Sequence, residues 1–247
     1  MSIFYNLYGV RNISKIIHSA RFDFPPLDIN PEGSILVFDK PYGCTSFDLV
    51  NKVKFFIKRE MKLKLKVGHA GTLDPFATGV LIVAVGKATK QIPQIQAEEK
   101  EYTGTFRVGA TTPSFDLEKE IDQKYDYLHI TKEMAQQVAK SFLGEIEQIP
   151  PQFSAVKIDG KRAFDYARAG EEVTIKPKTV TISEFEITRF DLPDIDFRIV
   201  CSKGTYIRSI ARDFGTALQS GAHLTALRRT RIGQFRVEDA IQVKKGD

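Results

Sequence analysis

The chain has 247 residues, 42% hydrophobic and 27% charged, enough for one large soluble domain or two small ones. No run reaches the roughly 18 apolar residues of a membrane span, and the N-terminus lacks the apolar core and cleavage site of a secretory signal. Two distant cysteines, Cys44 and Cys201, support neither a disulfide framework nor a zinc ribbon, so a cytoplasmic protein is expected.

The net charge of +5 is modest, and its distribution says more than its size. Lys58, Arg59, Lys62, Lys64 and Lys66 form one cluster, Lys157, Lys161, Arg162 and Arg168 a second, and Arg228, Arg229 and Arg231 a third. Each alone reads as a solvated face. Three of them beside glycines and aromatics fit a polyanionic partner, because every phosphate neutralised releases a counterion.

In chain order, residues 1–30 end in a proline-rich stretch that predicts an extended arm rather than a packed element. "ILVF" (35–38) predicts a buried strand. "TSFDLVNKVKFFIKRE" opens with the capping pair Thr45 and Asp48 and predicts a helix burying Leu49, Val50, Val53, Phe56 and Ile57. "MKLKLKV" alternates strictly and predicts an edge strand. "VLIVAV" (80–85) predicts a second buried strand, and "YTGTFRVG" puts Tyr102, Gly104, Phe106 and Val108 on one face of a third. The next helix has Thr131 as its cap, Gly144 as its stop and a stripe of Met134, Val138 and Phe142. In "TVTISEFEIT" the apolar phase changes between Ile182 and Phe185, which predicts a bulge. A strand, a turn at Gly204 and a helix buried through Ile207, Ile210, Ala211, Phe214 and Leu218 follow. Without a strict βαβ rhythm, these elements predict an α+β domain on a mixed, mostly antiparallel sheet flanked by helices.

The stretch with chemical content is "VGHAGTLDPFATGVL" (67–81), which fences Asp74 between Gly71 and Pro75. It is neither a P-loop, since valine follows Gly79, nor a GxGxxG fingerprint. His69 and Asp74 are too few for a metal, and the His-x-Glu, Pro-Cys-x-x-Cys deaminase pattern is absent. What remains is a carboxylate on a rigid loop. It can serve as nucleophile or base if a paired arginine holds it ionised, or it can merely cap a turn.

"GHAGTLDPFATGVL" resembles the catalytic-loop motif of the TruB-type tRNA pseudouridine synthases. "FDKPYGCTSFDLVNKVK", "KEYTGTFRVGATTPSFDLEKEI", "GEIEQIPPQFSAVKIDGKRAFDYARAGEEV", "CSKGTYIRSIARDFG" and "GAHLTALRRTRIGQF" are similar to further motifs of that family, in family order. The resemblance implies the pseudouridine synthase catalytic fold and isomerisation of uridine 55 in the tRNA T loop. There the uracil is detached from the ribose, rotated and rejoined through C5. No cofactor or metal is needed, since nothing is hydrolysed and no net redox change occurs.

Carried over by motif, Asp74 would be the nucleophile, Tyr102 the base-stacking tyrosine and proposed proton acceptor, and Tyr206 and Arg208 the pair in "TYIR", with Arg208 the ion partner of Asp74. His69, Lys40, Lys203, Lys161, Arg162, Arg228 and Arg229 would contact RNA, the last two through phosphates. Read without the motif, Tyr102 is equally a core aromatic and Arg208 a surface helix residue.

The expected organisation is an N-terminal extension (1–30) and a catalytic domain (31–247) with a thumb at about 150–173. The chain ends about a dozen residues after "GQF", so no RNA-binding module of the PUA type is expected. The expected partner is the T arm of tRNA, with no membrane, no obligatory protein partner and a monomeric state. Two other readings stay open, a non-catalytic RNA-binding or RNA-folding protein on the same scaffold and a guide-RNA-dependent synthase subunit. Activity of the purified chain on bare tRNA separates them.

Overall fold

The computed structural model describes residues 22–171 and 173–245. Ten strands form one sheet: β1 (Gly33–Lys40), β2 (Val67–His69), β3 (Thr78–Gly86), β4 (Lys100–Val108), β5 (Gly144–Gln148), β6 (Lys178–Asp191), β7 (Asp194–Cys201), β8 (Ala222–Ile232), β9 (Phe235–Arg236) and β10 (Ile241–Gln242). The order is β10-β1-β3-β8-β4-β7-β6-β5, with β2 paired to β3 and β9 to β8. The β3–β8 and β1–β10 pairs are parallel and the others antiparallel. Among the described residues five α-helices accompany it: α1 (Ser46–Phe56), α2 (Ile92–Ala97), α3 (Lys132–Ser141), α4 (Ala163–Arg168) and α5 (Ile207–Ala217). This is the α+β architecture that the sequence predicts.

Strand β3 is a continuous apolar run because both of its faces are covered. Leu81, Val83 and Val85 meet Leu49, Val50, Val53 and Ile57 around α1, while Val80 and Ile82 meet Ile95, Ile232 and Val237 on the other side. Thr45 caps α1 in a full capping box with Asp48, as the sequence reads. The largest cluster lies between the β4–β7–β6 part of the sheet and helices α3 and α5. Phe106 stacks on Phe197 at 4.1 Å and packs against Phe214 at 5.2 Å. By strand alternation, Thr103 and Thr105 of β4 then face away from this core. The predicted bulge of β6 falls between Ile182 and Glu184.

Three expectations are corrected. Residues 61–66 form no edge strand. The helical turn Ile57–Met61 continues α1, Lys62 takes a left-handed conformation (φ 56°), and only Val67–His69 pairs with β3. β3 ends at Gly86, whose N donates to Lys66 O at 2.8 Å, so the residues before Lys66 run past the last rung of that edge.

Of the expected α3 stripe, Phe142 is buried and Val138 packs against the core, but Met134 is exposed, and Ala135 and Ala139 take the buried track. Both tracks have helical spacing, and the alanines allow closer approach to the sheet. Finally, the described part of the N-terminal extension is packed rather than a free arm. Ile29 is buried, and Phe24 meets Phe38 at 5.5 Å and Phe56 at 6.1 Å. Residues 1–21 of the expected extension lie outside the described residues.

Candidate active site

The loop from Ala70 to Ala77 joins β2 to β3 and is held from three sides. At the N-terminus of α1, Ser46 Oγ accepts from Leu73 N at 2.9 Å and donates to Leu73 O at 3.0 Å. From the end of β1, Lys40 Nζ donates to Cys44 O at 2.7 Å, Pro41 O at 3.0 Å and Pro75 O at 3.4 Å, and Gly43 N donates to Pro75 O at 2.8 Å. From β8, the Arg229 guanidinium donates to Val80 O, Thr72 O and Gly71 O at 2.9–3.2 Å.

The glycines make this closure possible. Gly71 and Gly79 have φ of 98° and 103°, and a Cβ on Gly79 would lie 2.1 Å from Arg229 O. The conformational restriction of this loop therefore serves to fix Asp74 in space.

Asp74 meets Arg208 from the first turn of α5. Arg208 Nε is 2.9 Å from Asp74 Oδ2 and 3.6 Å from Asp116 Oδ2. The 2.9 Å contact is an ion pair by distance but lacks hydrogen-bond angles, so Nε keeps its donor capacity. The other guanidinium nitrogens donate to Phe153 O at 3.0 Å and Ser114 O at 3.4 Å. The start of α5 is itself fixed by Gln148, whose amide exchanges hydrogen bonds with Tyr206 N and O.

Burial opposes the charge on Arg208, and Asp74, Asp116 and Glu118 together more than offset it, so its pKa is raised. Burial pushes the carboxyl of Asp116 up, against the pull of Arg208. The Arg208 side chain is only 6% exposed, which removes the reading of a surface helix residue, while Asp74 is 37% exposed. Asp74, Asp116 and Arg208 line a cleft of about 300 Å³, including its open mouth, closed by Phe76, Leu117 and residues 224–227.

The other expected site residues divide. Tyr102 is buried, lies opposite Arg229 across β4 and β8, and packs within the large core cluster rather than lining the cleft. Burial raises its phenol pKa, with Arg229 pulling the other way. Tyr206 is half-buried at the N-cap of α5, and burial raises its phenol too. His69 is half-buried with Nδ1 enclosed and lacking a hydrogen-bond partner, and burial holds its pKa below the ordinary value. Lys161, Arg162 and Lys203 are exposed, the first two lying over the rings of Tyr166 and Phe164. Arg228 is partly exposed and forks onto Asp39 at 2.7 and 3.0 Å.

Two expected RNA contacts are corrected. Lys40 is fully buried, its ammonium spent on three carbonyls, and burial lowers its pKa to about 8. Arg229 is 2% exposed, with its guanidinium against the carbonyls before Asp74. Both brace the loop from inside, where no phosphate reaches them. Sequence reasoning missed Asp116, Ser46 and Phe76. All three lie inside the quoted motifs, but nothing in their spacing marks them.

A buried arginine held against a partly exposed aspartate in a cleft defines a candidate enzyme active site. Residues 58–207 match the TruB family pseudouridylate synthase (N terminal domain), and residues 208–245 the tRNA pseudouridylate synthase B C-terminal domain. The tRNA pseudouridine synthase B of Phocaeicola vulgatus is 58% identical, over 86% of this chain and 91% of that one. Its namesake in Flavobacterium johnsoniae is 56% identical, over 86% and 93%. Among solved structures, a Cbf5-Nop10-Gar1 complex gives a TM-score of 0.65 at 31% identity, covering 91% of this chain and 59% of that one. This chain belongs to the TruB family of pseudouridylate synthases, and it is an isomerase.

Proposed function

We propose that this protein converts the T-loop uridine of tRNA into pseudouridine, acting alone on the folded T arm. The observation that carries the reading is the Asp74–Arg208 pair at the mouth of a cleft, on a chain whose close relatives are named for tRNA. A uracil stacked inside a loop must be swung out before any side chain reaches it, at a cost of a few kcal/mol. Asp74 then attacks, the glycosidic bond breaks, and the uracil turns and rejoins through C5. The bond made by the carboxylate is broken again as C5 joins the ribose, and the proton lost from C5 is matched by one gained at N1, so the product has the atoms of the substrate and no co-reactant is consumed. Arg208 stays charged throughout and faces the carboxylate as its own charge changes.

Tyr102 takes the base-supporting and proton-accepting role that the motif implies; it lies in the core cluster outside the cleft lining, within range of the charge on Asp74, and Tyr206 stands two residues before Arg208. The exposed Lys161, Arg162 and Lys203, with Arg228 and the lysines of 62–66, are the candidate grip on RNA phosphates. Residues 150–173 act as a thumb. Their base is tied to α5 where Ser209 Oγ donates to Ile149 O at 2.8 Å, and they carry α4 and a short hairpin. The catalytic domain works as a monomer with no cofactor.

The experiment incubates purified protein with an unmodified tRNA transcript and maps pseudouridine along the chain. Conversion confined to the T loop is the expected result. Binding without conversion would favour an RNA-folding protein, and conversion only with added guide RNA and partners would favour a guided subunit.

A further inference from the structure

A second groove opens from the cleft and is unused by the chemistry above. It occupies about 840 Å³ including its open side, and the two spaces share Phe76 and residues 225–227. At the junction stand two rings, Tyr42 and Phe76, with centroids 5.4 Å apart and planes inclined by 41°. Tyr42 is half exposed although aromatic.

Neither ring hangs on a loose loop. Gly43 N bonds Pro75 O, and Lys40 clamps Pro41, Cys44 and Pro75, so the turn bearing Tyr42 is fastened to the loop bearing Asp74 and Phe76. Beyond the rings the groove is lined by Thr78, Thr103, Thr105, Thr188 and Thr225, of which Thr105 donates to Asp196, Thr225 to Thr105 O, and Thr78 accepts from Arg228. Two charged residues, Arg228 and Asp196, also line the groove. Arg228 forks onto Asp39, and Asp196 accepts from Arg189 and Thr105.

A fixed aromatic wall beside neutral hydroxyls suits a flat, polar-edged ring. The groove is also continuous with the space that receives the target uracil. We propose that Tyr42 and Phe76 form a stacking platform for the base of a nucleotide adjoining the target uridine, with the threonine floor meeting its edge. The platform would make local sequence around the target a determinant of substrate choice. The inference rests on the RNA-modifying reading of the site.

The test pairs protein and RNA changes. Tyr42→Ala, Tyr42→Phe and the unaltered protein react under single turnover with a T-arm stem-loop, and with stem-loops abasic at the nucleotide before or after the target. Binding of all the RNAs is followed in parallel by fluorescence anisotropy. A stacked base contributes about 1–3 kcal/mol, so Tyr42→Ala should raise the half-saturating protein concentration about five- to 150-fold. The rate at saturation should hold within about twofold.

Tyr42→Phe should restore wild-type behaviour. The Tyr42→Ala penalty should vanish on one of the two abasic RNAs, because its partner is already gone. An equal penalty on all three RNAs, no penalty on any, or failure of Phe to rescue would overturn the platform. If the unaltered protein converts nothing, the functional reading fails instead, and the anisotropy series still reports whether Tyr42 couples to a neighbouring base.

Discussion

Arg208 Nε lies 2.9 Å from Asp74 Oδ2, joining residues that are far apart in the chain across a cleft and setting a buried cation against a partly solvated anion. Removing the cation leaves Asp74, Asp116 and Glu118 facing one another. Breaking a buried pair costs roughly 3–5 kcal/mol. Because Asp74 is 37% exposed, water offsets part of this cost. Arg208→Met should then lose about a hundredfold in single-turnover rate, near the lower end of that range. Arg208→Lys should fall between, keeping the charge but not the contacts to Phe153 and Ser114. Rates within threefold of wild type for Arg208→Met would mean that the pair does no chemical work.

Arg228 and Arg229 are neighbours with opposite fates, one at the surface on Asp39 and one inside on three carbonyls. Arg228→Ala should flatten the salt dependence of RNA binding by up to about one unit of log–log slope, with some loss of stability because Asp39 loses its partner. Arg229→Met should keep the slope and lower the melting temperature, because buried carbonyls lose their donors at about 1–3 kcal/mol. Salt titrations and thermal melts of both variants decide the assignment.

That divergence also shows where the sequence stops informing. The catalytic loop was legible because glycine, proline and aspartate at fixed offsets have a backbone meaning, and the capping box of α1 and the face of α5 followed from simple periodicity. The inward turn of Arg229 was not legible. Strand β8 carries register shifts at Leu224/Ala226 and Arg229/Arg231, so alternation does not tell which arginine faces in. Lys40 is hidden for a related reason, since a lysine after a buried strand looks like a surface residue until the carbonyls around it are known. Asp116 joins the site only through the tertiary contact with Arg208.

Lys40 offers a prediction in pH. Its pKa falls to about 8 on folding, from 10.5 for an unburied lysine. The unfolded chain therefore binds more protons between those values, and the wild type should gain stability with rising pH there, relative to Lys40→Met. A shift of this size corresponds to about 3 kcal/mol over the whole window, and below about pH 8 the difference should be flat. Lys100, also lowered to about 8 by burial, is present in both proteins and cancels. Denaturant melts of the pair at pH 7, 8, 9 and 10 read the difference. A difference constant across the series would show that Lys40 is not buried as a charge.

The central claim is that Asp74 performs the chemistry and does not merely shape its loop, and Asp74→Asn tests it most directly. The amide keeps the side-chain shape and removes the nucleophilic charge, so the loss should appear in the chemical step alone. With enzyme in saturating excess over tRNA, so that each tRNA is turned over once, the account predicts no detectable pseudouridine, alongside tRNA affinity and melting temperature close to wild type. Conversion within tenfold of the wild-type rate would contradict it.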